Sequence, residues 1–93
     1  MSEHDFIKAV AKEAGLTQIQ TKELLRAMTN VIQRAISNDD TVKIVGLGRF
    51  YPMYASGREV FMPGTDEKVQ IAPYKYCKFR MSNTFKGDIN EYD

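Results

Sequence analysis

The sequence predicts an α+β fold: two N-terminal helices, a three-stranded antiparallel sheet carrying a protruding β-hairpin arm, and a short C-terminal helix. Three observations predict it. Apolar residues recur at helical spacing as far as Ser37 and then give way to β-rich, alternating segments. Glycines bracket Leu47 between two of those segments. Pro63-Gly64 falls near the middle of a long strand-like stretch, where a core strand would lose a ladder hydrogen bond but a hairpin tip would not. A chain of 93 residues suffices for one domain with a thin core. Within it, residues 1–40 form a helical base, 41–81 the sheet and arm (the arm over about 55–72), and 82–93 the last helix.

Ser2 can cap the first helix, whose apolar face is Phe6, Ile7, Val10, Ala11 and Ala14. Gly15 is its stop signal. Thr17-Gln18-Ile19-Gln20 has the form of a capping box and opens a second helix from Gln18 to Ser37. The second helix is apolar over half its circumference, through Leu24, Leu25, Ala27, Met28, Val31, Ile32, Ala35 and Ile36. A face that broad needs two neighbours, the first helix on one side and a sheet or second subunit on the other. Asn38-Asp39-Asp40 turns the chain. A strand over Thr41–Val45 meets a tight Gly46-Leu47-Gly48 hairpin and returns over Arg49–Tyr54, with Pro52 arguing for an edge or a bulge.

Pro63-Gly64-Thr65-Asp66 is the turn of the arm. Residues 74–81 come back as a third strand, with Cys77, Phe79 and Met81 on one side and Tyr74, Tyr76, Lys78 and Arg80 on the other. Ser82 or Asn83 can cap a final helix bearing Phe85 and Ile89, weakened by Gly87.

The net charge of +1 conceals a segregation. Residues 1–40 carry five Lys and Arg against six Asp and Glu, residues 41–86 carry eight against three, and residues 87–93 carry three acids alone. Positive charge is therefore concentrated in the sheet and arm. Cations interleaved with Tyr74 and Tyr76 on one strand face can track a phosphate backbone, whereas an ordinary solvated face would owe the same pattern to cross-strand pairing. A protruding arm beside that face favours binding.

Catalysis finds no support. His4 is the sole histidine and Cys77 the sole cysteine, too few for a zinc site, and Cys77 reads as a buried thiol. The paired acids Asp39-Asp40 and Asp66-Glu67 stand at turns, where caps or solvated charge are the ordinary roles. No metal or other cofactor is expected. With no signal peptide and no apolar run of membrane-spanning length, the expectation is a soluble, cytoplasmic protein.

The run Gly46-Leu47-Gly48-Arg49-Phe50, an arm with Arg58 and Met62-Pro63-Gly64-Thr65, then Val69-Gln70-Ile71-Ala72, Phe79 and Lys86 resembles the HU/IHF family of bacterial histone-like, DNA-bending proteins. The resemblance extends over nearly the whole chain. It implies an intertwined dimer, homodimeric or heterodimeric, in which helices build the base and the sheets form a saddle for double-stranded DNA. It also implies a nucleoid-associated protein that condenses and bends DNA through the minor groove. Carried onto matching positions, Pro63 is the intercalating tip, widened by Met62 and Phe61. Arg58, Lys68 and Gln70 line the arm, Lys75, Lys78 and Arg80 lie on or near the saddle, and Ser82, Asn83 and Lys86 meet phosphate at the last helix. Leu25, Met28, Val31, Ile32, Ile36, Leu47, Phe50 and Phe79 would form the dimer core. The wedge mechanism is the one known for HU and IHF themselves, so it comes with the resemblance.

The chain departs from the family pattern in ways that remove cations. Phe61 and Met62 stand where arginine and asparagine usually precede the proline, Ala55 replaces an arginine at the arm base, Asp66-Glu67 stand where the turn usually ends in glycine followed by a basic residue, and Glu3 occupies a place often held by lysine. Each lost cation lowers the expected salt dependence by about 0.9 in logarithmic slope. The exposed apolar tip flanked by Glu59, Asp66 and Glu67 leaves a second reading, an HU-like dimer turned to protein–protein interaction with weak or no DNA binding.

Overall fold

The computed structural model describes residues 1–90 and contains α1 (Glu3–Ala14), α2 (Gln18–Ser37), β1 (Val42–Ile44), β2 (Gly48–Ala55), β3 (Arg58–Phe61), β4 (Lys68–Ile71), β5 (Tyr74–Met81) and α3 (Asn83–Asn90). The fold is the predicted α+β arrangement, and the expected continuation of the last helix to residue 93 lies outside the described residues. The chain divides into two compact units, Met1–Arg34 and Ala35–Asp93.

In the first unit, local hydrogen bonds set the helix limits. Ser2 Oγ accepts from the Asp5 N–H at 3.1 Å, and Gly15 takes the left-handed conformation (φ 70°) that closes α1. The capping box forms reciprocally: the Gln20 N–H donates to Thr17 Oγ1 and the Thr17 N–H donates to Gln20 Oε1, both at 3.0 Å. Burial in this unit, among the described residues, is confined to Ile7 and Ala11 of α1 and Thr21 of α2. Thr21 tolerates it because its hydroxyl donates to the Thr17 carbonyl at 2.9 Å.

The second unit begins with the end of α2. The Asp40 N–H donates to the Ala35 carbonyl (2.8 Å) and the Asp39 N–H to that of Ile36 (3.0 Å), a Schellman arrangement with Asp39 at φ 60° in place of the usual glycine. The sheet has order β1-β2-β5 and is antiparallel throughout. Pairing is unbroken from Gly48↔Met81 to Ala55↔Tyr74, so the bulge offered for Pro52 does not exist. Pro52 instead sits opposite Cys77 in the middle strand. It is tolerated there because β1 pairs only as far as Phe50, which leaves β2 with a neighbour on one side at position 52.

β3 and β4 form a separate two-stranded sheet. Their register, Arg58↔Ile71 to Phe61↔Lys68, prolongs that of β2 and β5 across an interruption at residues 56–57 and 72–73. The arm is thus one long hairpin resumed after a break. Its tip is a turn in which the Thr65 N–H donates to the Met62 carbonyl (3.2 Å). Pro63 precedes Gly64 at φ 80°, the residue order and backbone sign of a type II turn. α3 starts where Ser82 Oγ accepts from the Phe85 N–H (3.1 Å), while the Ser82 N–H donates to the Leu47 carbonyl (3.0 Å) and ties that cap to the β1–β2 turn.

Cys77 requires a correction. The alternation placed it on the same side as Phe79 and Met81, as observed, but its thiol is exposed. All eight residues of β5 are exposed in the single chain.

Candidate nucleic-acid interface

Residues directly opposite one another in an antiparallel sheet share a face, so the pairing sorts every side chain of the sheet. One face carries Val42, Phe50 and Phe79 in one row and Ile44, Gly48 and Met81 in the next. Its aromatic pair, Phe50 and Phe79, has ring centroids 4.9 Å apart. The other face carries Lys43, Arg49 and Arg80 in a single row across all three strands, followed by Tyr51 with Lys78, Met53 with Tyr76, and Ala55 with Tyr74. Like charges placed directly opposite are destabilising in a sheet, and here three stand in line. The Arg49 guanidinium also lies over the Tyr51 ring at 5.4 Å.

This cation row borders an open cleft of about 580 Å³ lined by Lys43, Arg49 and Arg80 and by Ser82, Asn83 and Thr84 at the start of α3. The helix begins there with free backbone N–H groups, which add to the positive potential of the three side chains. Such a face suits the sugar–phosphate backbone of nucleic acid.

The predicted site residues do not all converge. Lys78 and Arg80 lie on the basic face, and Asn83 lines the cleft. The Ser82 hydroxyl is occupied as the cap of α3, and Lys86 is exposed one turn further on. Lys75 is on the opposite face from Lys78 and Arg80. There its ammonium pairs with Asp39 at 2.9 Å, donates to the Ser37 carbonyl at 3.0 Å, and lies 5.6 Å from the Tyr54 ring centre. Tyr54 donates its hydroxyl to the same Asp39 carboxylate. That bond, and then the one from Lys75, holds the Asp39 carboxyl below its ordinary range. The carboxylate in turn raises the Tyr54 hydroxyl and the Lys75 ammonium. Lys75 is therefore engaged in pinning the end of α2 to β2 and β5.

On the arm, Arg58 shares a face with Val60, Val69 and Ile71, while Glu59, Phe61, Lys68 and Gln70 share the other. The Lys68 ammonium lies 5.7 Å from the centre of the Phe61 ring. Phe61 is 66% exposed, and Met62 and Pro63 are exposed beside it, so the tip is uncovered. Of the expected dimer core, Ile36 is buried; Leu25, Ile32, Leu47 and Phe50 are half-buried; Met28, Val31 and Phe79 are exposed.

Lys43, Arg49 and Tyr51 were missed as site residues. Each strand's alternation was legible in the sequence, yet the side of the sheet on which Lys43 and Arg49 fall depends on their register with Arg80.

The family model for bacterial DNA-binding proteins matches residues 1–90. The chain is 35% identical over 89 residues to DNA-binding protein HU-beta of Neisseria meningitidis serogroup A, covering 96% of this chain and all of that relative. It is 34% identical over 84 residues to the integration host factor subunit alpha of Rhodospirillum rubrum, covering 90% of this chain and 80% of that protein. Among solved structures, the Anabaena HU–DNA cocrystal structure superposes with a TM-score of 0.86 at 30% identity, covering 96% of this chain and 97% of that one. With its two helices, three-stranded sheet and hairpin arm, the chain belongs to the bacterial DNA-binding protein family of HU and integration host factor.

Proposed function

We propose that two copies of this chain form an architectural protein that binds duplex DNA across the basic sheet faces and bends it through the minor groove, with Pro63 at each arm tip as the wedge. The observation that carries this reading is structural continuity. The strands that hold Arg49, Lys78 and Arg80 on one face run on in the same register to the exposed Pro63 turn. A rigid imino-acid ring at a tip can part a base step at a cost of a few kcal/mol, offset by the protein surface that the bent duplex then wraps. The minor groove carries a degenerate pattern, so preference comes from deformability, and nicked or pre-bent duplexes bind best. A bacterial protein working in this way belongs with the nucleoid. Among the described residues, no helix is long and apolar enough to cross a membrane.

The protein-interaction reading has the acid-flanked apolar tip in its favour, but it gives the row of three opposed cations no partner.

The test is a gel-shift and bend assay on linear, nicked and pre-bent duplexes. Pro63→Ala is expected to reduce the bend angle while affinity falls by a smaller factor. Undiminished bending would remove the wedge role, and no binding to any duplex at low salt would remove the function.

Assembly has its own measurement. Met28 and Val31 on α2 and Phe79 on β5 are 41%, 50% and 44% exposed in the single chain, too much apolar surface for a free monomer. Sedimentation equilibrium is expected to return twice the 10.6 kDa chain mass. A mass of one chain at micromolar concentration would refute the dimer.

A further inference from the structure

Three segments converge at the root of the arm. Tyr54 and Lys75 face one another one rung before the end of the β2–β5 ladder, which closes at Ala55↔Tyr74. Both side chains reach Asp39, and the Lys75 ammonium also takes the carbonyl of Ser37, the last residue of α2. That carbonyl is one of the four that a helix leaves unpaired at its end. Asp39 is itself fixed, its N–H bonded to the Ile36 carbonyl in the left-handed turn. Both strands of the hairpin are thus tied to one anchored carboxylate. Beyond Ala55↔Tyr74 the ladder stops at residues 56–57 and 72–73, and it resumes at Arg58↔Ile71. The break has the parts of a joint. Pro73 has no N–H to give to a ladder. Gly57 has no side chain, and a Cβ there would lie 3.0 Å from both the Ile71 carbonyl oxygen and Pro73 Cδ. Past the break, β3 and β4 pair only with each other. As a source of stability the cluster is weak: the Lys75 and Asp39 side chains are 30% and 60% exposed, and ion pairs so open to water contribute little. Its placement is what sets it apart.

Resting on the reading of the arm as the bending element, we infer that Asp39, Tyr54 and Lys75 are positioning residues for DNA bending: they clamp the root of the arm, so that it pivots at the 56–57/72–73 break and no nearer the sheet. A wedge delivers a bend only if the ribbon behind it resists the push of the duplex. With the clamp released, the rungs at Tyr54 and Ala55 open, the pivot retreats into the sheet, and the arm yields. None of the three side chains needs to touch DNA for this.

Amide hydrogen exchange followed by NMR on the full chain, without DNA, tests the clamp directly. The proteins compared are the parent, Asp39→Asn, Tyr54→Phe and, as a control with the same charge change as the first, Asp40→Asn. Asparagine suits the left-handed position, so the turn itself is kept. Circular dichroism checks the fold of each. Asp39→Asn is expected to speed exchange at residues 53–55 and 74–76 by about threefold, the size an exposed pair allows, with residues 48–50 and 79–81 within about twofold of the parent. Tyr54→Phe should follow in smaller measure, and Asp40→Asn should match the parent. On duplex DNA, Asp39→Asn should bend less at an unchanged logarithmic salt slope, because no phosphate-neutralising cation is lost. The inference is overturned if neither Asp39→Asn nor Tyr54→Phe speeds exchange at the root, if exchange rises evenly along the sheet, or if Asp40→Asn does as much. It is overturned equally if the root loosens and bending is undiminished. A salt slope steeper by about 0.9 would also overturn it, since Asp39 would then be restraining a DNA contact of Lys75. A parent that binds no duplex would count against the architectural function, and the exchange comparison would still decide the clamp.

Discussion

Alanine at position 48 is expected to cost about 3 kcal/mol or more of folding stability, from backbone strain combined with a steric clash. Gly48 occupies the middle of the row Ile44–Gly48–Met81, where all three strands meet, and its φ of 153° is rarely taken by a residue with a side chain. A Cβ there would lie 2.2 Å from the Arg80 carbonyl oxygen and 2.9 Å from Phe79 Cε2. The carbonyl is part of the paired strand and cannot retreat without parting β2 from β5. Gly46 supplies the control. It also has positive φ, 86°, but a Cβ would meet nothing within 4 Å, so Gly46→Ala costs only the conformational strain, about 1 kcal/mol. Urea unfolding of both variants checks the difference. Equal midpoints would mean that the close approach of β5 to Gly48 has no energetic weight. Because small domains are stable by only about 5–15 kcal/mol, a loss of this size is a large share of the total.

Neutralising the cation row is expected to move binding and stability in opposite directions. With Lys43, Arg49 and Arg80 all replaced by glutamine, duplex affinity falls and the logarithmic salt slope shrinks by about 2.7 if each side chain neutralises one phosphate. Folding stability, by contrast, holds or rises by up to about 1 kcal/mol, because the three like charges no longer face one another across the strands. A solvated face without a ligand would show the stability change and no change in salt slope. Gel shifts over a salt series, paired with urea unfolding, read both quantities. An unaltered slope would detach this row from DNA. Loss of both stability and binding would mean that the side chains hold the sheet together, contrary to their placement in one like-charged line.

Much of the fold was legible in the residues. The Ser2 cap, the Gly15 stop, the Thr17–Gln20 box and the Pro63-Gly64 turn are each settled by hydrogen bonds and backbone preferences spanning a few neighbours. The stripe Tyr74, Tyr76, Lys78, Arg80 followed from alternation alone. The site was less legible. Lys75 differs in parity from Lys78, so its place on the other face was implied, but its engagement by Asp39 was not. That contact depends on the left-handed turn that brings the end of α2 to Tyr54 and Lys75. Cys77 was misread because burial depends on what packs on its sheet face and not on its sequence neighbours Tyr76 and Lys78, and in the single chain its thiol is exposed.

The residue order by itself settled what is decided over short distances: where helices begin and end, where the chain reverses, which side chains alternate along a strand, and that a Pro63-Gly64 turn tips the β3–β4 hairpin. Only the tertiary structure decided that Lys43, Arg49 and Arg80 stand in one row, that Lys75 is withdrawn into a pin, and that Tyr51 of β2 shares a face with Lys78 and Arg80 of β5. The physical reason is register. A slip of one residue between strands would send every side chain to the opposite face, and that choice belongs to the pairing of β1, β2 and β5 as a whole.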